Sequence, residues 1–147
     1  MLNPPTYSVQ RVAAEEIVDL RHRVLRAGLP RQSAIFPGDD DGQTVHLGAL
    51  ESGKIVGCAT VLESRFEDRP ALQIRGVAVD PGHRGRGIGR MLLVTIERLA
   101  LEREVKLLWA NCRTPAVEFY AKAGWSKVSD EFVIPTAGPH FKMIRRL

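Results

Sequence analysis

The chain reads as an α/β protein built on a mixed sheet, and three observations carry that prediction. Short runs of apolar and β-branched residues recur between turn residues, the pattern of strands. Three other segments place apolar residues three and four apart, the spacing of an amphipathic helix. Their order is βα(α)βββ–α–β–α–ββ, which gives a sheet largely antiparallel in its first half with helices on both faces.

Each element has its own signal. Tyr7–Val12 alternates as a first strand, and Ala13–Leu25 follows as a helix with Ile17, Leu20, Val24 and Leu25 on one side. Gly28-Leu29-Pro30 ends that helix, and Ala34–Gly42 is a polar loop. Val45–Leu50 and Ile55–Leu62 form a hairpin across Glu51-Ser52-Gly53-Lys54. Ala71–Val79 is the next strand. An Arg/Gly loop then leads into a helix that gathers Ile88, Met91, Leu92, Ile96 and Leu99 on one face. Lys106–Cys112 is a further strand. Thr114-Pro115 opens a short helix as N-cap and first-position proline; Ala116, Phe119, Tyr120 and Ala123 share its inner face, and Gly124 stops it. Trp125–Val128 and His140–Arg145 complete the sheet. No repeat or linker intervenes, so residues 1–147 read as one domain, long enough to bury its own core.

The segment Val77–Ala100 is the most informative. Gly85, Gly87 and Gly89 alternate with Arg84, Arg86, Ile88 and Arg90, so the backbone there can approach a ligand closely. The loop ends at a helix N-terminus with free N–H groups ringed by arginines, a place that binds phosphate. A Walker loop needs Lys-Ser/Thr after its last glycine, whereas Arg90-Met91 stands here. A dinucleotide fingerprint needs G-x-G-x-x-G and an acidic end to the next strand; this chain has G-x-G-x-G and Trp109-Ala110-Asn111.

Arg84-Gly85-Arg86-Gly87-Ile88-Gly89 resembles in full the acyl-CoA pyrophosphate motif R/Q-x-x-G-x-G/A of the GNAT superfamily of N-acetyltransferases. Phe119-Tyr120-Ala121-Lys122-Ala123-Gly124-Trp125 resembles the same family's F-Y-x-x-x-G-F/W element, in the right order along the chain. The resemblance covers Val45 to the C-terminus. It implies a GNAT-like acyl-CoA N-acyltransferase fold, splayed between the strands at 71–79 and 106–112, with acetyl-CoA as cosubstrate.

Carried onto this chain, the resemblance assigns the pyrophosphate to Arg84, Gly85, Arg86, Gly87, Ile88, Gly89 and Arg90. It assigns the pantetheine arm to the backbone of Val77, Ala78 and Val79. Tyr120 stands where the family places its general acid, near the cofactor sulfur, and Asn111 ends a strand that would reach cofactor or substrate. Some members carry a carboxylate base on the strand before the loop; the equivalent here is Gln73, which cannot accept a proton. Glu118, Glu131, His46 and His140 are the other candidates. Proton removal through water is the favoured route, with His140 as the best side-chain base. The implied reaction is acetyl transfer to a primary amine of a small molecule or protein. The alternative is a non-catalytic acyl-CoA-binding regulator on the same fold.

Composition bounds the remaining choices. A formal charge of +4 with dispersed arginines and no Lys/Arg run disfavours nucleic acid; a polyanionic cofactor accounts for the excess. Cys58 and Cys112 lie in apolar runs and read as buried thiols of a reduced cytoplasmic protein. No stretch is long enough for a membrane span, and Met1–Pro5 does not read as a signal peptide. Asp39-Asp40-Asp41 does not make metal geometry, and no metal is expected. That acidic turn lies in Gly28–Gln43, which in similar proteins lines the acceptor pocket, so it predicts an acidic rim attracting a cationic amine. A homodimer is an assembly these features allow.

Overall fold

The computed structural model describes residues 6–147; the Met1–Pro5 reading lies outside them. The strands are β1 (Ser8–Val12), β2 (Val45–Glu51), β3 (Lys54–Phe66), β4 (Arg69–Val79), β5 (Leu107–Arg113), β6 (Ser126–Lys127), β7 (Phe132–Ile134) and β8 (Gly138–Arg146). The helices are α1 (Ala14–Leu25), α2 (Ile88–Glu102) and α3 (Val117–Lys122). Hydrogen-bonded neighbours follow the order β1-β2-β3-β4-β5-β8-β6, with β7 also on β8. The mixed α/β class is as the sequence predicts. No helix among the described residues is long and apolar enough to cross a membrane.

The chain packs as two compact units: residues up to Thr60 with Gly76–Thr95, and Val61–Arg75 with Ile96–Leu147. In the first, β1 runs antiparallel to β2 from Ser8↔Leu50 to Val12↔His46. Its α1 begins where the Ala13 amide donates to the Glu16 carboxylate at 2.6 Å, a side chain satisfying one orphan N–H of the first turn. Ile17 and Leu20 from that helix bury against Cys58 and Ala78, with Val12, Val24, Leu25 and Ile55 around them. Each such aliphatic side chain contributes about 1.5–3 kcal/mol by leaving water. Gly57 is small because Ile88 lies over it: a Cβ there would sit 2.7 Å from Ile88 Cγ2. The start of α2 is thereby pinned.

In the second unit, β4 and β5 run parallel in register at Leu72↔Leu108 and Gln73↔Trp109. The antiparallel ladder of β5 on β8 is far longer, from Leu107↔Arg146 to Arg113↔His140. Phe66, Ala71, Leu107 and Ile144 form this unit's buried cluster, with Trp109 packed on it. α3 closes with the Trp125 amide donating to the Tyr120 carbonyl and Gly124 at φ +95°. That is the positive-φ glycine stop its sequence predicts.

Several local expectations are corrected. β3 and β4 extend to Phe66 and back to Arg69 around Glu67-Asp68, both at positive φ, the sign pattern of a type I′ hairpin turn. The polar run Glu63-Ser64-Arg65 hid this, because two of its three residues face solvent. Thr114 is not a helix cap. It begins a 3-10 turn, and its hydroxyl donates to Glu131 Oε2 at 2.8 Å. Phe119 is 37% exposed, so Tyr120 is the buried aromatic of α3. β7, three residues long, is too short to leave a periodic signal.

Candidate functional site

The first unit carries the Arg/Gly loop. Asp80 caps the 3-10 turn Pro81–His83, accepting from the Gly82 amide at 3.1 Å and pairing with Arg23 at 3.4 Å. The Gly82 amide, and then Arg23, hold its carboxyl below the usual range. Gly85 and Gly87 have φ +78° and +79°, with open space where a Cβ would stand. Both conformations favour glycine. Met91 makes the first α2 bond, to the Gly87 carbonyl at 3.0 Å, which leaves the amides of Ile88, Gly89 and Arg90 with no intrahelical acceptor. Arg84, Arg86 and Arg90 are exposed around this turn, and Ile88 is buried. Helix-opening amides without intrahelical acceptors, the helix dipole and three exposed cations together make an anion cradle. Ile88 anchors it by packing.

A set of residues the sequence reading passed over steadies the cradle. Arg86 Nη1 donates to the Tyr7 hydroxyl at 2.9 Å, Tyr7 lies 3.3 Å from His83 Nδ1, and His83 lies 3.2 Å from Glu51. Tyr7 is 79 residues from Arg86 in sequence, so no local pattern could have paired them. Ahead of the loop, Ala78 is buried and Val77 and Val79 are half-buried.

The second unit carries Tyr120, Asn111 and His140. The Tyr120 ring is buried edge-on to Trp125, with centroids 5.3 Å apart. Burial raises its phenol above the usual range, and the nearby Cys112 adds to this. Burial also pushes the Cys112 thiol up to about 12, which makes it an unreactive packing group. Along a strand, successive side chains alternate between faces. Trp109, Asn111 and Arg113 therefore stand on one face of β5, and Ala110 and Cys112 on the other, beside Tyr120. His140, register partner of Arg113, shares the Asn111 face. Asn111 is exposed; His140 is buried, with Nδ1 2.7 Å from the Gly138 carbonyl. The three residues assigned to catalysis are not brought to one face. Gln73 is half-buried on β4, opposite Trp109 in register.

The acidic rim is overturned in part. Asp39 is buried in the first unit, its Oδ2 2.6 Å from Nη1 of the fully buried Arg21 and 2.8 Å from the Phe36 amide. Arg21 also donates to Thr60 Oγ1 at 2.7 Å, and His46 spans Thr60 Oγ1 and the Asp39 carbonyl at 2.8 and 2.9 Å. Arg21 Cζ lies 3.9 Å from the Phe36 ring centroid. Asp39 is thus an internal counter-ion, and His46 is a structural bridge rather than a base. Asp40 and Asp41 alone face solvent. Arg21→Met, which strands the Asp39 carboxylate, is expected to cost about 3–5 kcal/mol. Asp40→Asn with Asp41→Asn should stay within about 0.5 kcal/mol per site. Urea denaturation of the three variants checks this.

Comparisons with known proteins bear on the family and the fold. The profile of the Acetyltransferase (GNAT) family matches residues 11–125. An uncharacterized N-acetyltransferase, YitI of Bacillus subtilis (strain 168), is 28% identical over 142 residues, covering 95% of both chains. Among solved structures, an aminoglycoside 6'-N-acetyltransferase complexed with coenzyme A superposes with TM-score 0.76 at 13% identity, over 95% of this chain and 96% of that one. A GNAT family acetyltransferase from Elizabethkingia anophelis with acetyl-CoA bound gives 0.72 at 15% identity, over 96% and 98%.

Proposed function

This chain belongs to the GNAT acetyltransferase family, and from that premise we propose that it transfers the acetyl group of acetyl-CoA to a primary amine. The observation that carries the reading is the cradle at Gly85–Arg90: two positive-φ glycines, the orphan amides opening α2, and exposed Arg84, Arg86 and Arg90. It is suited to a pyrophosphate. The acetyl-CoA bound in a fold neighbour supports the same ligand here. On this reading the backbone of Val77, Ala78 and Val79 pairs with the pantetheine amides.

In the transfer, the neutral amine attacks the thioester carbonyl, the C–N bond forms, and the C–S bond breaks. The amine proton leaves to water, since Gln73 can take none. Tyr120 hydrogen-bonds the departing sulfur and hands it a proton, which water then restores. Its raised pKa keeps the hydroxyl protonated throughout the working range. His140 stands as the side-chain alternative for the amine proton, with Nε2 as the accepting atom when Nδ1 carries the hydrogen. Asn111 is assigned to substrate or cofactor contact. Absence of a membrane-spanning helix among the described residues and two buried thiols fit a cytoplasmic enzyme.

A thermal-shift titration is the direct test. Acetyl-CoA at about 100 times its Kd should stabilise the protein by about 2.7 kcal/mol, with ATP and NAD inert. Thiol release over an amine panel should then rise with pH toward the amine's own pKa, with no carboxylate plateau near pH 4. A protein unmoved by acetyl-CoA would remove the reading. Binding without thiol release from any amine would reduce it to an acyl-CoA-binding regulator.

A further inference from the structure

The second unit contains a cleft of about 550 Å³ between the β3–β4 turn, β5, β8 and the segment from Val128 to Phe132. That volume lies in the range of small-molecule sites. Its walls are aromatic. Phe66 and Trp109 stand 6.1 Å apart at 38°, and Phe132 closes another side. Lys142 places its ammonium 5.0 Å from the Trp109 ring centroid, and Asn111, its register partner, stands on the same face.

The hydrogen-bonding inventory of this cleft is one-sided. Among the described residues no carboxylate pairs with Lys142, the Asn111 side chain makes no hydrogen bond, and the indole N–H of Trp109 is buried without a partner. An unmet buried donor costs about 1–3 kcal/mol. The cleft's acid, Glu67, is already 3.6 Å from Arg69, and Ser129 Oγ already accepts the Lys142 amide at 2.9 Å. Lys142 and Asn111 thus offer the space donors that no protein acceptor takes, while the Trp109 N–H stays buried and the cleft's acid is shared with Arg69. An occupant must offer a flat apolar body and acceptor oxygens, preferably charged. A polyamine offers neither.

We propose that this cleft binds the acceptor of the transfer, and that the acceptor is an amine bearing an aromatic or flat apolar body and a carboxylate. An aromatic α-amino acid is the smallest example. The proposal rests on the acetyl-transfer reading and specifies its second substrate. The ring lies among Phe66, Trp109 and Phe132, and the carboxylate pairs with Lys142. The acidic-rim expectation pointed to a cationic amine recognised by its charge; the buried Asp39 and this cleft point instead to recognition of a carboxylate.

Tryptophan emission reads binding without turnover, because Trp109 lines the cleft and Trp125 is buried beside Tyr120. L-phenylalanine and phenylacetate should change the emission saturably. 2-Phenylethylamine, which lacks the carboxylate, should bind at least about tenfold more weakly, the worth of one hydrogen bond to a charge. Spermidine should not bind. Lys142→Met should bring L-phenylalanine down to the 2-phenylethylamine level, and Trp109→Phe should abolish the change. In thiol release, L-phenylalanine should exceed 2-phenylethylamine in kcat/KM.

Spermidine or 2-phenylethylamine binding as tightly as phenylacetate would overturn the proposal. So would carboxylate binding untouched by Lys142→Met, or no emission change with either carboxylate. If acetyl-CoA still shifts the melting temperature and other amines still release thiol, only this inference falls. If acetyl-CoA neither binds nor releases thiol, the transfer reading falls, and the acceptor role with it.

Discussion

Gly87→Asp is expected to weaken acetyl-CoA binding by about 100-fold, or about 2.7 kcal/mol, and to leave the protein folded. Gly87 sits at φ +79° with nothing within 4 Å of where a Cβ would stand, so the new side chain meets open space and no core atom. Backbone strain in the left-handed region adds about 1–2 kcal/mol, less for Asp than for most residues. The carboxylate would stand where the amides opening α2 and the arginines at 84, 86 and 90 would receive the pyrophosphate, replacing attraction by repulsion. Gly87→Asn separates the two effects, since it keeps the shape and strain and drops the charge. Calorimetric titration with acetyl-CoA should place Asn between the parent and Asp. A folded Gly87→Asp protein that binds acetyl-CoA like the parent would remove the pyrophosphate assignment.

Tyr120→Phe is expected to lower turnover by about 10²–10⁴, the range for loss of a general acid, with acetyl-CoA affinity nearly unchanged. The substitution keeps the ring edge-on to Trp125 at 5.3 Å and removes only the hydroxyl. Stability carries an independent signature. Burial raises the folded-state pKa of Tyr120, so the native protein keeps a proton that the unfolded chain releases above about pH 10. That contribution is complete below pH 10 and declines as pH rises beyond it. The Phe variant should lose less stability between pH 9 and 11 than the parent, measured by urea midpoints. Parent-like thiol release in the variant would leave Tyr120 as a core aromatic.

Much of the fold and half of the candidate site were legible in the sequence because they depend on neighbours a few residues apart. The α2 stripe, the Ser52-Gly53 turn, the Gly124 stop and the Arg84–Arg90 loop are encoded by local periodicity and by glycines at the positive φ the backbone needs. The short β7 and the polar-faced ends of β3 and β4 escaped, since neither carries an apolar pattern of sufficient length, and the 3-10 turn at Thr114 and the exposure of Phe119 were misread.

Tertiary structure decided what pairs with what. Three consecutive aspartates are chemically alike in sequence, yet Asp39 is withdrawn to neutralise Arg21 while Asp40 and Asp41 stay in water. A buried guanidinium requires a counter-charge, and which acid supplies it depends on a loop closing over a helix 18 residues away. Tyr7 reaching Arg86, and Lys142 lying over Trp109, are likewise set by strand pairing. The alternation of β5 explains why Asn111 and Tyr120, nine residues apart with a turn between, end on opposite faces. Sequence by itself determined where the chain turns, coils and opens a helix on amides without intrahelical acceptors. Which charges remain free to meet a substrate was decided by burial, because a charge leaves water only where another group replaces the water.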